Sequence, residues 1–369
     1  MLQPQKTKIC LVGDTLSGGG AERVHAFLSQ YFVKQGIEVH NVVVQDKISY
    51  DYSGELLNLG LLKDDRNGAG NKMKRFLVLR DYLKKHDFDY IIDFRMRKKY
   101  LQDFFISKLV YSVPAVYTVH SSILEWYMPK SAWFTRIIYG NAYGVVSITE
   151  KMKNYIEELY RLKNVVNIYN PIDVNYIQQR ADEVPSTEKD QYVIAVGSMR
   201  ENNVKQFDKL IEAYSNSVLP ENNIKLLILG EGILMNNLKE LSEKKGLKDK
   251  VVFKGFEENP YAYMRNAFLY ALTSRNEGLP MVLLESLACG TPVVSFDCFT
   301  GPSEIIQDGI NGLLVEDQNT VKFTEALDLM FADKELYVKC KQNAIASIQG
   351  FSIESIGREW MEFLKIQVR

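Results

Sequence analysis

Two textures alternate along the chain: short, nearly unbroken apolar runs, and longer stretches whose apolar positions recur every three or four residues. KICLVGD at 8–14 is the first run. After the glycine loop at 17–20, AERVHAFLSQYFVKQG has helical spacing and closes on Gly36. EVHNVVVQ predicts the next strand. The pattern then predicts a helix near 72–86, strand YIIDF, a helix near 101–110, strand AVYTVH, a helix near 131–141, strand YGVVSIT, helix EKMKNYIEEL and strand NVVNIYN. Buried strands separated by helices of this length imply a parallel sheet covered on both faces.

From 171 to 190 the text PIDVNYIQQRADEVPSTEKD is polar, holds two prolines and reads as a linker. A second alternating set follows: strand YVIAVGS, helix VKQFDKLIEAYSNS, strand IKLLILG, helix ILMNNLKELSEKKG and strand VVFKGF. Next come a short helix over PYAYMRNA, strand LYALTS, a helix after Gly278, strands PVVSFD and GLLV, and a helix near 320–332. The 369 residues exceed one ordinary core. The expected organisation is a first doubly wound domain over 1–173, a linker over 174–190 and a second domain over 191–347. An amphipathic segment over 348–369 would cross back to the first domain. Two such sheets are expected to leave a cleft between their strand C-terminal ends, where α/β proteins bind ligands.

Composition narrows the class. Apolar residues are 46% and charged residues 25%, as in a globular protein. No apolar run reaches the ~18 residues of a membrane span, and the N-terminus reads as a strand rather than an export signal. The four cysteines, Cys10, Cys289, Cys298 and Cys340, have neither disulfide nor metal spacing. They read as reduced core thiols and suggest a cytoplasmic protein. Net charge is −1, yet residues 1–180 hold 25 Lys/Arg against 18 Asp/Glu, and the remainder 20 against 28. The basic excess concentrates at 72–99, with ten Lys/Arg and four Asp. It is read either as a face for anionic phospholipid or a pyrophosphate-bearing acceptor, or as a solvated helix surface. No nucleic-acid recognition motif accompanies the charge.

The stretch RNEGLPMVLLESLACG at 275–290 carries the most chemistry. It sets Glu277 in a Gly/Pro turn and Glu285 eight positions on, inside a helix. Eight helical residues span roughly 12 Å of rise and about 80° of rotation. The two carboxylates therefore suit two parts of one elongated ligand rather than one metal ion or one proton. The N–H groups at 279–282, at the helix start, form a phosphate site, and carboxylates suit sugar hydroxyls. Hydroxyls, phosphates and more hydroxyls are the layout of a nucleoside diphosphate sugar.

The second half resembles the donor-binding domain of GT-B glycosyltransferases, specifically the large retaining family 4. Seven blocks occur in order: VG at 196–197, KQFDKLI at 205–211, LGEG at 229–232, VFKGF at 252–256, EGLPMVLLESLACGTPVV at 277–294, GPSEII at 301–306 and NGLLV at 311–315. The first half matches more loosely, through GGAER at 19–23, His120 and NPID at 170–173. The resemblance implies an α/β GT-B fold, two Rossmann-like domains facing a central cleft. It implies that Glu285 binds ribose hydroxyls and Glu277 the transferred sugar, with backbone amides of Gly278, Leu279 and the residue after Pro280 along the phosphate and sugar. Lys205 would neutralise the departing diphosphate beside an arginine that the family carries after Gly197. Here that position is Ser198, and Arg200 is the candidate replacement through a rearranged loop.

The loop with Gly19 and Gly20 lacks the rest of a dinucleotide fingerprint. In the family it lies near the donor phosphates and the acceptor, and Glu22 and Arg23 shape that region. His120 would contact the donor sugar. Asp87-Phe88-Asp89 spells a metal motif of another fold but sits between a helix and a strand, where Asp is an ordinary loop residue. The expectation is therefore catalysis without metal or cofactor: a retaining transfer of a hexose or N-acetylhexosamine from a nucleotide sugar, with a UDP-sugar favoured over GDP-mannose. The acceptor would be lipid-linked or a growing polysaccharide at the inner face of the plasma membrane. The competing readings are a sugar-nucleotide epimerase of the same architecture and a catalytically silent binding module.

Overall fold

A computed structural model describes residues 6–64, 68–183 and 191–367. By compactness the chain forms two units, 1–171 with 353–369, and 172–352.

The first unit is built on strands β1 (Lys8–Gly13), β2 (Glu38–Val43), β3 (Glu55–Asn58), β4 (Tyr90–Asp93), β5 (Ala115–Val119), β6 (Gly144–Ser147) and β7 (Val165–Asn167). They form one sheet in the order β3-β2-β1-β4-β5-β6-β7, parallel throughout. Helices α1 (Gly20–Lys34), α2 (Ala69–His86), α3 (Tyr100–Phe105), α4 (Ala132–Tyr139) and α5 (Glu150–Tyr160) connect them. A five-residue π turn, Ile106–Val110, continues α3. The order runs outward in both directions from β1 and β4, so the topological switch point lies between those two strands.

The second unit contains α6 (Val174–Glu183), β8 (Tyr192–Val196), α7 (Phe207–Asn216), β9 (Lys225–Leu229), α8 (Met235–Lys244), β10 (Val251–Gly255), α9 (Tyr261–Asn266), β11 (Leu269–Leu272), α10 (Met281–Ala288), β12 (Val293–Phe296), α11 (Pro302–Ile305), β13 (Gly312–Val315), α12 (Thr320–Ala332) and α13 (Lys334–Ser347). Its parallel sheet runs β10-β9-β8-β11-β12-β13, with the switch point between β8 and β11. Val193, Leu210, Ile211, Leu226 and Phe323 sit at the centre of its core.

Helix α14 (Ile353–Phe363) belongs to the first unit and packs on α1. Trp360, 2% exposed, joins the core of Ile9, Leu28 and Phe32. The hydroxyls of Tyr90 and Tyr143 fasten the helix end by donating to the carbonyls of Leu364 and Phe363.

Two departures from the sequence reading have physical causes. The stretch 174–190 is not linker over its first part: 174–183 form α6, which buries Ile177 and Ala181, four residues apart, and packs on α9 and α10. Residues 184–190 lie outside the described ones. The basic stretch 72–99 is not wholly a surface, because Arg75, Arg95 and Arg97 are 9%, 7% and 1% exposed. Asp87 and Asp89 are structural, as the sequence reading expected, with Asp87 ending α2 in the left-handed region and Asp89 accepting the amide of Lys8. No helix among the described residues is long and apolar enough to cross a membrane.

Candidate functional site

Because β8 and β11 are neighbours at the switch point, the loops leaving their C-terminal ends meet. One runs from Gly197 to α7 and the other from Thr273 to α10. They are stitched by hydrogen bonds. The Thr273 hydroxyl donates within reach of the carbonyls of Lys205 and Gln206, at 3.1 and 3.0 Å. The Arg275 amide donates to Val204 O, and its guanidinium to Asn202 O. Asn203 and Gln206 adopt left-handed backbone, φ 46° and 48°. Gln206 is held there by a side-chain pair with Gln318 at 3.0 Å.

This stitching brings together two of the expected residues, Lys205 and Glu277. Lys205 Nζ donates to Glu277 Oε1 at 2.7 Å, and the side chains are 21% and 14% exposed. A charge-assisted bond this short and this sheltered is stronger than a surface pair. Gly197 makes room for it: a Cβ there would lie 3.0 Å from Lys205 Cγ and 3.1 Å from its Cε, so the lysine stem runs across the bare glycine. Glu277 is fixed from behind by the Thr300 hydroxyl, which donates to its carbonyl at 2.7 Å.

The turn continues through Gly278 and the buried Leu279 to Pro280, which caps α10 without a side-chain hydrogen bond. The first-turn N–H groups of that helix lack intrahelical partners by geometry, which gives its tip anion affinity. Glu285 follows one turn inside α10 at 8% exposure, among the buried Leu283, Leu284 and Leu287. A carboxylate in so apolar a setting makes strong hydrogen bonds to any donor that reaches it.

A backbone shelf borders these residues. The Gly197 amide donates to Leu229 O, Met199 to Glu231 O and Gly230 to Gly255 O. Gly230 and Gly232 have φ of 123° and 154°, and any Cβ on them would collide with the carbonyls of Gly197 and Met199. The glycines of the LGEG block therefore let neighbouring strand ends close up. Ser198 and Arg200 are both exposed, and the Arg200 carbonyl accepts the Asn203 amide.

In the first unit, Gly19 caps α1 and Gly20 opens it, with open space where a Gly20 Cβ would point. His120 follows β5. Neither of its ring nitrogens has a hydrogen bond of normal geometry, and burial beside Arg97 holds its pKa down at about 3. Its ring is thus neutral in the ordinary pH range. At the β1/β4 switch point lies a charged cluster that sequence reasoning missed. Arg95 holds Asp93 by two bonds, at 3.0 and 2.6 Å. Arg97 donates to the carbonyls of Asp93, Arg95 and Thr118 and lies over the rings of Tyr117, Tyr127 and Tyr139. Asp14, after β1, accepts the amide of Met96. The available signal was FRMR directly after the buried strand end YIID, where charge is unexpected.

The architecture, two parallel α/β units each with loops gathered at a switch point, is that of a GT-B glycosyltransferase. The family model "Glycosyl transferases group 1" matches residues 177–347, and "Glycosyltransferase Family 4" matches 18–176. The chain belongs to the group 1 glycosyltransferases.

Among similar proteins, the N-acetylgalactosamine-N,N'-diacetylbacillosaminyl-diphospho-undecaprenol 4-alpha-N-acetylgalactosaminyltransferase of Campylobacter jejuni is 36% identical over 197 residues, 53% of this chain and 52% of that protein. A second C. jejuni protein, GalNAc-alpha-(1->4)-GalNAc-alpha-(1->3)-diNAcBac-PP-undecaprenol alpha-1,4-N-acetyl-D-galactosaminyltransferase, is 28% identical over 97% of this chain and 98% of its own length. The alignments with the amylovoran biosynthesis glycosyltransferase AmsD of Erwinia amylovora and with the first of these span about 63% and 52% of those relatives. In fold, the chain resembles the crystal structure of Anabaena HepE in complex with UDP, with TM-score 0.78 and 18% identity over 97% of this chain and 100% of the other. A glycosyltransferase from Rickettsia africae gives TM-score 0.79 at 18% identity, covering 98% of each chain.

Proposed function

We propose that the protein transfers a hexose or N-acetylhexosamine from a nucleotide sugar to a hydroxyl of a lipid-linked or polysaccharide acceptor in surface-glycan synthesis. UDP is the favoured nucleotide, since HepE was crystallised with it, and the C. jejuni relatives are named for undecaprenyl diphosphate-linked acceptors. The observation that carries the reading is the Lys205–Glu277 pair at the mouth of α10 with Glu285 one turn inside it.

In this reading Glu285 accepts hydrogen bonds from ribose hydroxyls and the tip of α10 receives the diphosphate. Lys205 leaves Glu277 for the phosphate, and the released carboxylate takes a hydroxyl of the sugar. The ion pair thus stores both groups in place and exchanges one partner for another on binding. Charge drawn onto the leaving phosphate by Lys205 and the helix amides lowers the barrier to C–O cleavage. Arg200 lies on the same loop and adds positive charge once that loop closes on the ligand. Transfer proceeds with retention: the acceptor attacks from the leaving-group face and the departing phosphate oxygen takes its proton. Neither a metal ion nor an imidazole base is used, and His120, neutral at ordinary pH, takes part only as an uncharged ring. The basic surplus of the first unit extends the reading to peripheral contact with the inner face of an anionic membrane.

A thermal-shift panel of UDP, GDP and their sugars tests the donor side. Ligand at 100 times its Kd stabilises by about 2.7 kcal/mol, so UDP is expected to raise Tm and Glu285→Ala to abolish the rise. A Tm unmoved by any nucleotide in the wild type would remove the reading.

A further inference from the structure

Outside the nucleotide region, the first unit holds an apolar cavity of about 640 Å³ between α2 and the α3–π-turn segment that the proposed reaction does not use. That is within the roughly 300–1,000 Å³ of small-molecule sites. Phe76, Leu79, Ile106 and Leu109 give it hydrocarbon walls, and Lys72 and Arg75 line it with positive charge. Its outer lip is apolar as well. Leu101, Phe105 and Leu109, spaced four residues apart along one side of α3 and its continuation, are 70%, 49% and 62% exposed. Met73 on α2 is 57% exposed between Lys72 and Lys74. A soluble surface seldom leaves such a ridge bare.

Charge singles out one occupant. The α3–π-turn segment carries one carboxylate, Asp103, and it is turned inward, 5% exposed and 3.9 Å from Arg95. Exposed lysines flank the ridge along the chain, Lys72 and Lys74 beside Met73, Lys98 and Lys99 before Leu101 and Lys108 beside Leu109, and the exposed Glu125 lies on the Tyr100 side. Bare hydrocarbon rimmed by lysine is the make-up of an interfacial, bilayer-seeking surface. We propose that this face docks on an anionic phospholipid bilayer. Leu101, Phe105, Leu109 and Met73 enter the acyl region, one lipid chain occupies the cavity, and the lysines meet the phosphates. The proposal deepens the reading of a lipid-linked acceptor and rests on it for its purpose, since it would bring the first unit to the surface where such an acceptor lies.

The test uses the full chain with vesicles of phosphatidylcholine alone or with one-quarter phosphatidylglycerol. Sedimentation of the wild type with the anionic vesicles is expected, with at least ten-fold weaker partitioning to the neutral ones. Leu101→Gln/Phe105→Gln/Leu109→Gln should lose binding at least ten-fold while keeping the UDP-induced Tm shift. That shift separates failure here from failure of the donor reading. A single Leu109→Trp chain, which keeps the surface apolar, should show blue-shifted emission with anionic vesicles and quenching by brominated acyl chains. The proposal is overturned if the triple variant partitions like the wild type, or if the emission of the Leu109→Trp chain is indifferent to bromine. It is overturned equally if light scattering shows this face consumed by self-association that the triple variant abolishes.

Discussion

The two units wind outward from a central switch point in the same order, the first with one more edge strand, but hold their strand-end loops in opposite ways. In the second unit the loops after β8, β9, β10 and β11 are tied mainly by main-chain bonds, such as Gly197 to Leu229, Gly230 to Gly255 and Arg275 to Val204. In the first unit the same location is filled by side chains, with Asp93, Arg95 and Arg97 buried among tyrosines. Main-chain ties demand glycine at fixed places, as at Gly230 and Gly232, where any Cβ would meet a neighbouring carbonyl. A buried ionic cluster fills its own space and holds only if every partner is present.

The comparison breaks most visibly at Asp93. Asp93→Asn leaves Arg95 and Arg97 buried with only the more distant Asp103 as counter-charge, and should destabilise the first unit by about 3–5 kcal/mol. Urea unfolding would then become biphasic, the second unit keeping its midpoint. A single shared transition would mean the units are not energetically separate. In the second unit a comparable change should affect turnover instead. Lys205→Ala is expected to lower kcat by about 10²–10³-fold, as for loss of a single charge-stabilising donor, with Tm little changed. Steady-state kinetics on the identified donor checks it.

Acid sharpens the contrast further. Burial holds His25 near pKa 4 and His120 near 3 in the folded chain, against an ordinary 6.5. Below pH 6.5 the unfolded chain takes up protons that the folded chain refuses, so stability falls as pH drops from there toward 4 and then 3. The slope is at most about 1.4 kcal/mol per pH unit for each histidine. Asp103, raised to about 6 from 3.8 by burial, has the opposite sign and loses stability as pH rises through that window. His120→Gln should therefore flatten the acid limb of the first unit's stability and leave the second unit's unchanged. Chemical denaturation from about pH 4 to 8 reads both. The smallest effect is expected from Gly197→Ala, whose methyl would push the Lys205 stem aside by a few tenths of an ångström. About a ten-fold loss in kcat/KM, or about 1.4 kcal/mol, is the expected outcome.

The same contrast explains what could be read in the chain. The glycine blocks and the Glu277–Glu285 spacing were legible because backbone geometry imposes them. The paired strands and helices were legible through continuous apolar runs. Four elements were not, among them α11, a single turn of four residues. Strand β3 is short, lies at the sheet edge and has no fully buried position. Helices α6 and α13 bury only two residues each, Ile177 with Ala181 and Cys340 with Ala344, too few to mark a face. The Lys205–Glu277 pair joins residues 72 apart, and only the adjacency of β8 and β11 brings them together. The arginines around Asp93 look like surface charge in the sequence because nothing local distinguishes a buried arginine from a solvated one.

The most direct test of the account is a crystal structure with an intact UDP-sugar. The account places Glu285 within hydrogen-bond distance of the ribose hydroxyls, with Lys205 Nζ moved from Glu277 to a phosphate oxygen at the tip of α10. A nucleotide bound elsewhere, with the Lys205–Glu277 pair still closed, would contradict it.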